Sequence, residues 1–443
     1  MSKKIVNAEE AAGRIRAMGG EFAVVANPPY VHPPFEIYPL VPARKVLADG
    51  LKAVVMDMDG TTTTTEPLCV HALDTMVRRC SGRDMDPDWP GLSPESDYPH
   101  IIGNSTTKHV EFLVLKYRNQ FLPRAVFNAY IRGTCWTLSV GRDPQRRRDA
   151  QATLQACALT CTPEILTTVR QKNEPVFSDE TLAKFYAANA VTWEKCLEDP
   201  ALLTRIGVEI YYHRYHEVLE AIGRGENAIG VDHIAGMSGR LIRPMPGIGI
   251  FLALIKGILG EYAGLCASLL RPEAGDRNRN TLSDLGRYFQ ARPALTGLVT
   301  SSILYEADIV LGEIFRQLVQ ETDTWPVPES IRQTAREAFR DHHRFYDTVV
   351  TATDAHEIRL KPHRDLYSIA LFQLGLGPED FGRVAGFEDS ESGTIAMRAA
   401  GIGVACAVPF HMTEGHSFDA AAWVCPGGLP EVLLDHRLFL PPQ

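Results

Sequence analysis

Leu51-Lys-Ala-Val-Val-Met56 runs directly into Asp57-Met-Asp-Gly-Thr61, and this join decides the reading of the chain. The first six residues are apolar apart from Lys52 and partly β-branched. That is the composition of a short strand buried on both faces of a parallel sheet. The next five place two carboxylates and a glycine where such a strand ends. In doubly wound sheets, ligand sites gather outside the carboxyl ends of the strands. An acidic loop in that position is therefore a candidate site.

Beyond this join the pattern changes. Helical periodicity dominates from Glu66 to Arg243, with helices expected at 110–117, 150–159, 181–189 and 206–222. A strongly apolar helix follows at 248–259, and 271–293 reads as a polar insertion. Strand patterns return at 295–299, 348–350, 384–387, 402–408 and 421–424. Between them, Ile303, Ala307, Val310, Leu311 and Ile314 mark one helix face, and Leu366, Ile369, Ala370 and Leu374 another. Strands alternating with helices pair in parallel through right-handed crossovers. The expected fold is thus α/β, a doubly wound parallel sheet interrupted after its first strand by a large inserted α-helical cap. Residues 51–65 and 244–443 form the core, with the 271–293 insertion, and 66–243 form the cap. Residues 1–50 read as an N-terminal extension, a helix at 8–18 followed by a proline-rich stretch that is extended or turn-like over 27–34.

The 443 residues are 45% hydrophobic and 22% charged, which excludes wholesale disorder. The net charge of −9, from 45 Lys and Arg against 54 Asp and Glu, argues against a general nucleic-acid binder. The apolar run 248–260 is interrupted by Lys256 and is shorter than the roughly 20 residues of a membrane span. Residues 1–21 are polar and carry no secretory signal pattern. Nine scattered cysteines read as free thiols of a cytoplasmic protein rather than a zinc site.

Four strand or helix boundaries carry reactive groups: Asp57 and Asp59; Thr300 with Ser301 and Ser302; Lys361-Pro362; and Glu388-Asp389. This ordered series resembles the haloacid dehalogenase-like superfamily, in its branch of β-phosphoglucomutase and small-molecule phosphatases. Asp365-Leu-Tyr367, Glu388-Asp-Ser-Glu-Ser-Gly393, Ala399-Ala-Gly-Ile402, Pro244-Met-Pro-Gly247 and Tyr346-Asp-Thr-Val-Val350 extend the match. The resemblance covers residues 51–70 and 242–430.

A phosphate dianion repels a carboxylate nucleophile, so charge must be cancelled before attack. Mg²⁺ held by oxygen ligands does this. The resemblance implies that Asp57 ligates Mg²⁺ with a side-chain oxygen, Asp59 with its backbone carbonyl and Asp389 with its carboxylate. Glu388 is either a ligand or a residue behind the ligands. It further implies that Asp57 attacks phosphorus to give an aspartyl-phosphate, while Asp59 protonates the leaving oxygen and then activates water. Lys361 and Thr300 would stabilise the transferring oxygens. The resemblance also implies that the carboxylate at Asp59 favours C–O–P substrates over haloacids and phosphonates.

The expected activity is hydrolysis of a small phosphorylated metabolite, with a sugar phosphate as one guess. Candidate substrate contacts are Ser301 and, in the cap, Asn104, Ser105 and Lys108. Caps of this kind exclude water and select the leaving group. Arg142, Arg146, Arg147 and Arg148 read more readily as a solvated helix face than as an anion site. Tyr211, Tyr212, His213, Tyr215 and His216 read as packing rather than a ring-binding site, and the two histidines lack a third metal ligand. The five-threonine run 61–65 suits an extended hinge, and Thr64 and Cys69 stand where relatives often carry Asp and His. Three other readings stay open: a phosphomutase sharing the catalytic residues, a phosphonate hydrolase using Lys108 as a Schiff base, and a non-catalytic scaffold. Homo-oligomerisation is also left open.

Overall fold

A computed structural model describes residues 5–27, 31–84, 86–101, 106–159, 179–226, 239–356, 359–410, 413, 415–436 and 438–439. The chain divides into two compact units, Met1–Thr64 with Arg243–Gln443, and Thr65–Ile242.

The first unit is built on a six-stranded sheet. In chain order its strands are β3 (Ala53–Asp57), β6 (Leu295–Val299), β7 (Thr348–Val350), β8 (Val384–Glu388), β9 (Val404–Ala407) and β10 (Trp423–Val424). Their spatial order is β10-β9-β8-β3-β6-β7, and every pairing is parallel. Counting only these six, the sheet runs 3-2-1-4-5-6 from one edge, so the winding reverses between β3 and β8. The expected α/β fold is therefore present. Ala53, Val54 and Val55 are wholly buried, as a central strand covered on both faces requires. The helix Ile248–Ile255 is buried along its whole length. Another group packs Leu366, Tyr367, Ala370 and Leu371 beside Val55, Val299 and Val350.

Two readings of the sequence need correction. The segment 271–293 is no polar insertion; it contains a helix, Asp276–Ala291, that buries Leu282, Leu285, Gly286 and Phe289. Its apolar stripe starts only after the polar run Asp276-Arg-Asn-Arg-Asn280, which masks the periodicity. Residues 1–50 are more than a helix and an extended stretch. Besides the helix Ala8–Met18, they form an antiparallel hairpin of β1 (Phe22–Ala26) and β2 (Phe35–Pro39). Ala23, Val25 and Tyr38 pack with Ala399 of the helix Glu391–Ala400. Arg398, 2% exposed, donates to the carbonyl of Val41 at 2.9 Å and pairs with Glu21. The prolines between its two strands conceal its alternation.

Two short strands, β4 (Thr63–Thr64) and β5 (Arg243–Pro244), pair antiparallel where the chain leaves and re-enters this unit. The Thr63 hydroxyl donates to the Arg243 carbonyl at 3.1 Å. The threonine run thus includes a paired strand, consistent with its extended, β-branched character.

The second unit is helical. Its helices include Glu66–Cys80, Thr106–Tyr117, Pro123–Ser139, Pro144–Ala156, Asp179–Glu198 and Pro200–Gly223. The last begins with Pro200 behind Asp199, whose side chain accepts from the Ala201 amide at 2.9 Å. Tyr211, Tyr212, Tyr215 and His216 pack against one another edge to face or tilted, with ring centroids 5.0 to 6.3 Å apart. His213 lies 5.6 Å from Trp136. These rings pack inside the unit. Arg142, Arg147 and Arg148 are exposed, whereas Arg146 lies over the Tyr212 ring at 4.5 Å and pairs with Asp149 and, at 3.8 Å, with Glu209.

Burial pushes the Glu209 carboxyl up to about 7, against the pull of Arg146. A carboxyl raised on folding contributes most stability below its unfolded value near 4.5 and loses it as pH rises towards 7. Glu209→Gln should therefore flatten the fall in stability between pH 4.5 and 7 and exceed the parent above that window. Urea unfolding of both proteins across this range tests it; parallel curves would contradict the assignment.

Candidate active site

Asp57 ends β3 and Glu388 ends β8, the two strands flanking the reversal of winding. Their register sets Met56 beside Phe387, so both acidic residues emerge at the same carboxyl edge. On the other side of β3, Asp57 lies beside Val299, and Thr300 follows it. Lys361 lies in the loop between β7 and the helix Asp365–Gln373. Chain segments far apart in sequence therefore reach one point, at the switch position where open α/β sheets bind ligands.

Lys361 organises the centre. Its ammonium pairs with Asp57 and, at 2.6 Å, with Glu388 Oε1. Both Glu388 oxygens are engaged: Tyr367 donates to Oε1 at 2.8 Å and the Ser390 hydroxyl to Oε2 at 2.9 Å. Burial and the Glu388 charge hold the Tyr367 phenol far above its usual range, so it remains a donor. Burial favours neutral Lys361, but Asp57 and Glu388 outweigh it and keep the ammonium charged. Asp59 accepts from the Thr300 hydroxyl at 3.2 Å and the Ser302 hydroxyl at 3.1 Å. Ser302 also donates its amide to Thr300 Oγ1 at 2.9 Å, which fixes that hydroxyl.

Oxygens of Asp57, Glu388 and Asp389 all lie within 4.8 Å of one another, and all three residues are buried. With Asp59, four carboxylates cluster where one ammonium pairs with two of them, Asp57 and Glu388, a formal balance of 1 − 4 = −3. Burial, then repulsion from Glu388, pushes the Asp57 carboxyl well above the usual range. A hard divalent cation would offset the excess of negative charge, and the all-oxygen donor set suits Mg²⁺. Two local features fit such an ion and its phosphate ligand. Gly60 has φ +83°, and a Cβ there would meet Asp389 Oδ2 at 2.3 Å, so glycine alone leaves room for that carboxylate. The buried Thr61 hydroxyl has no hydrogen-bond partner among the described residues. Gly393 has the same role behind Glu388, where a Cβ would lie 1.8 Å from Cδ. Gly60→Ala should cost at least about 2 kcal/mol through the left-handed backbone and the displaced Asp389. Urea unfolding measures this, and a variant as stable as the parent would contradict it.

The sequence candidates separate into three groups. Asp57, Asp59, Thr300, Lys361, Glu388 and Asp389 come together. Ser301 is exposed, and its neighbour Ser302 makes the contact to Asp59. Lys108 is exposed on the helix Thr106–Tyr117 of the second unit, while Asn104 and Ser105 lie outside the described residues. Ser302, Ser390 and Gly393 received no role from the sequence, although all three stand inside the quoted motifs. Their polarity or small size was visible, but their partners were not.

No protein-family model matches the chain, and no curated protein does. Among solved structures it is similar to CbbY from Rhodobacter sphaeroides in complex with phosphate, at 14% identity and TM-score 0.39 over 86% of this chain and 96% of that one. A HAD hydrolase of family IA from Entamoeba histolytica aligns at 11% identity and TM-score 0.35, over 85% and 93% of the two chains. A HAD-superfamily hydrolase of subfamily IA from Geobacter sulfurreducens aligns at 15% and TM-score 0.33, over 87% and 96%.

Proposed function

We propose that the chain is a Mg²⁺-dependent phosphohydrolase that cleaves a small phosphomonoester through an aspartyl-phosphate on Asp57. The observation that carries this reading is the excess of buried carboxylate around one lysine at the sheet's switch point. A structural salt bridge has no need of three further acids. A metal-assisted attack on phosphorus does.

Mg²⁺ would be held by the carboxylates of Asp57 and Asp389 and the backbone carbonyl of Asp59, and when bound it neutralises charge on the phosphate oxygens. The remaining work falls to the chain's own groups. Asp57 supplies the nucleophilic oxygen. Asp59, oriented by Thr300 and Ser302, gives a proton to the leaving oxygen and takes one from the water that releases phosphate. Lys361 places fixed positive charge on the transferring oxygens. Glu388, engaged by Tyr367, Ser390 and Lys361, orients that ammonium from behind.

Release of inorganic phosphate from a panel of sugar phosphates and other phosphomonoesters, with and without Mg²⁺, tests the reading. Magnesium-dependent release supports it. An isomerised sugar phosphate in place of free phosphate would make the protein a mutase with the same residues. No turnover across the panel would favour a scaffold. Borohydride trapping of a carbonyl phosphonate on Lys108 would instead favour a phosphonate hydrolase.

A further inference from the structure

Lys361 sits in a loop, which is a poor place for a charge that must be held accurately. The residues two before and two after it are both tied to the N-terminal hairpin. Arg359 donates from Nη1 to Glu36 Oε1 and Oε2 at 3.1 and 2.9 Å. Its other two nitrogens form a fork on Asp365, at 2.8 and 2.9 Å. On the far side of Lys361, His363 Nδ1 lies 2.7 Å from the Tyr38 hydroxyl, which also contacts Glu36. Tyr38 and His363 are both buried, with their rings edge to face at 5.6 Å.

The proton order follows from the environments. Burial and the Arg359 charge lower the His363 pKa and keep its imidazole neutral. Tyr38 gives its single proton to the Glu36 carboxylate, so His363 donates from Nδ1 to the Tyr38 oxygen. The chain His363–Tyr38–Glu36–Arg359 closes over both flanks of Lys361. The hairpin is itself fixed at its other side, where Arg398 holds Val41 and Glu21.

The geometry points to a new role for the first 50 residues: Glu36 and Tyr38 are positioning residues that brace the Lys361 loop, so the N-terminal hairpin belongs to the catalytic core. This inference rests on the phosphohydrolase reading for its catalytic consequence. Individually, half-exposed pairs such as Glu36–Arg359 contribute little stability. Their effect lies in placement, because a displacement of about 1 Å costs on the order of a hundredfold in rate.

Tyr38→Phe and Glu36→Gln change few atoms and test the brace. Both should lower kcat about tenfold, with KM within about twofold and the unfolding midpoint little changed. A second readout is independent of turnover: labelling of native protein with an amine-reactive reagent, read by peptide mass spectrometry. Lys361 labelling should rise severalfold in both variants. Lys256, paired with Asp347 at 2.7 Å elsewhere in the same unit, should label as in the parent and serves as the control. Unchanged Lys361 labelling would overturn the inference, as would an equal rise at Lys256, which reports general loosening. If the parent hydrolyses no phosphomonoester, the functional reading fails, while the labelling still decides whether the hairpin holds Lys361.

Discussion

Asp57→Asn is expected to lower phosphate release by more than about a thousandfold while leaving the fold intact. Asparagine keeps the shape of the side chain but is far too weak a nucleophile to form the phosphoryl intermediate. The substitution also removes one formal negative charge from four clustered carboxylates, three of them buried, beside one ammonium, taking the formal balance from −3 to −2. Metal-free Asp57→Asn should therefore unfold at the same temperature as the parent or higher, because burial and Glu388 already oppose ionisation of Asp57. Phosphate release and a thermal melt on the same preparation separate the two effects. A variant that retains turnover would remove Asp57 from the role of nucleophile.

Lys361→Met acts in the opposite direction. It deletes the ammonium that Asp57 and Glu388 share, and the paired side chains are almost wholly enclosed. Breaking a buried pair from one side leaves uncompensated charge and typically costs about 3–5 kcal/mol. The metal-free variant should lose stability of that order by urea unfolding, as well as turnover. Added Mg²⁺ should restore more stability to Lys361→Met than it adds to the parent, since the ion meets a larger excess of carboxylate. Equal stability of parent and variant without metal would mean that the carboxylates are already neutral, and would remove the charge argument for a cation.

Much of this centre is legible in the sequence. The strand from Leu51, the acidic loop after it and the later strand ends are local patterns, and their order along the chain carried the resemblance. Leu295–Val299 and Thr348–Val350 lie where the pattern placed them, and β8 differs only by including Glu388. Local reading failed where a signal was diluted. The helix Asp276–Ala291 hides its stripe behind five polar residues, and the hairpin Phe22–Pro39 is broken by prolines. Ser301 and Ser302 are indistinguishable in the sequence, because adjacent serines differ only in the direction each side chain takes.

The sequence by itself determined the α/β class, the succession of strands along the chain and the identity of the reactive groups. Those depend on periodicity and side-chain chemistry, which each short segment carries alone. Only the tertiary structure decided that Glu388 is engaged by Tyr367, Ser390 and Lys361, that Ser302 rather than Ser301 meets Asp59, and that Glu36 and Tyr38 reach across more than 300 residues to Arg359 and His363. Such contacts join segments whose separation in sequence bears no relation to their separation in space. They come into being only when the sheet closes and the winding reverses beside β3.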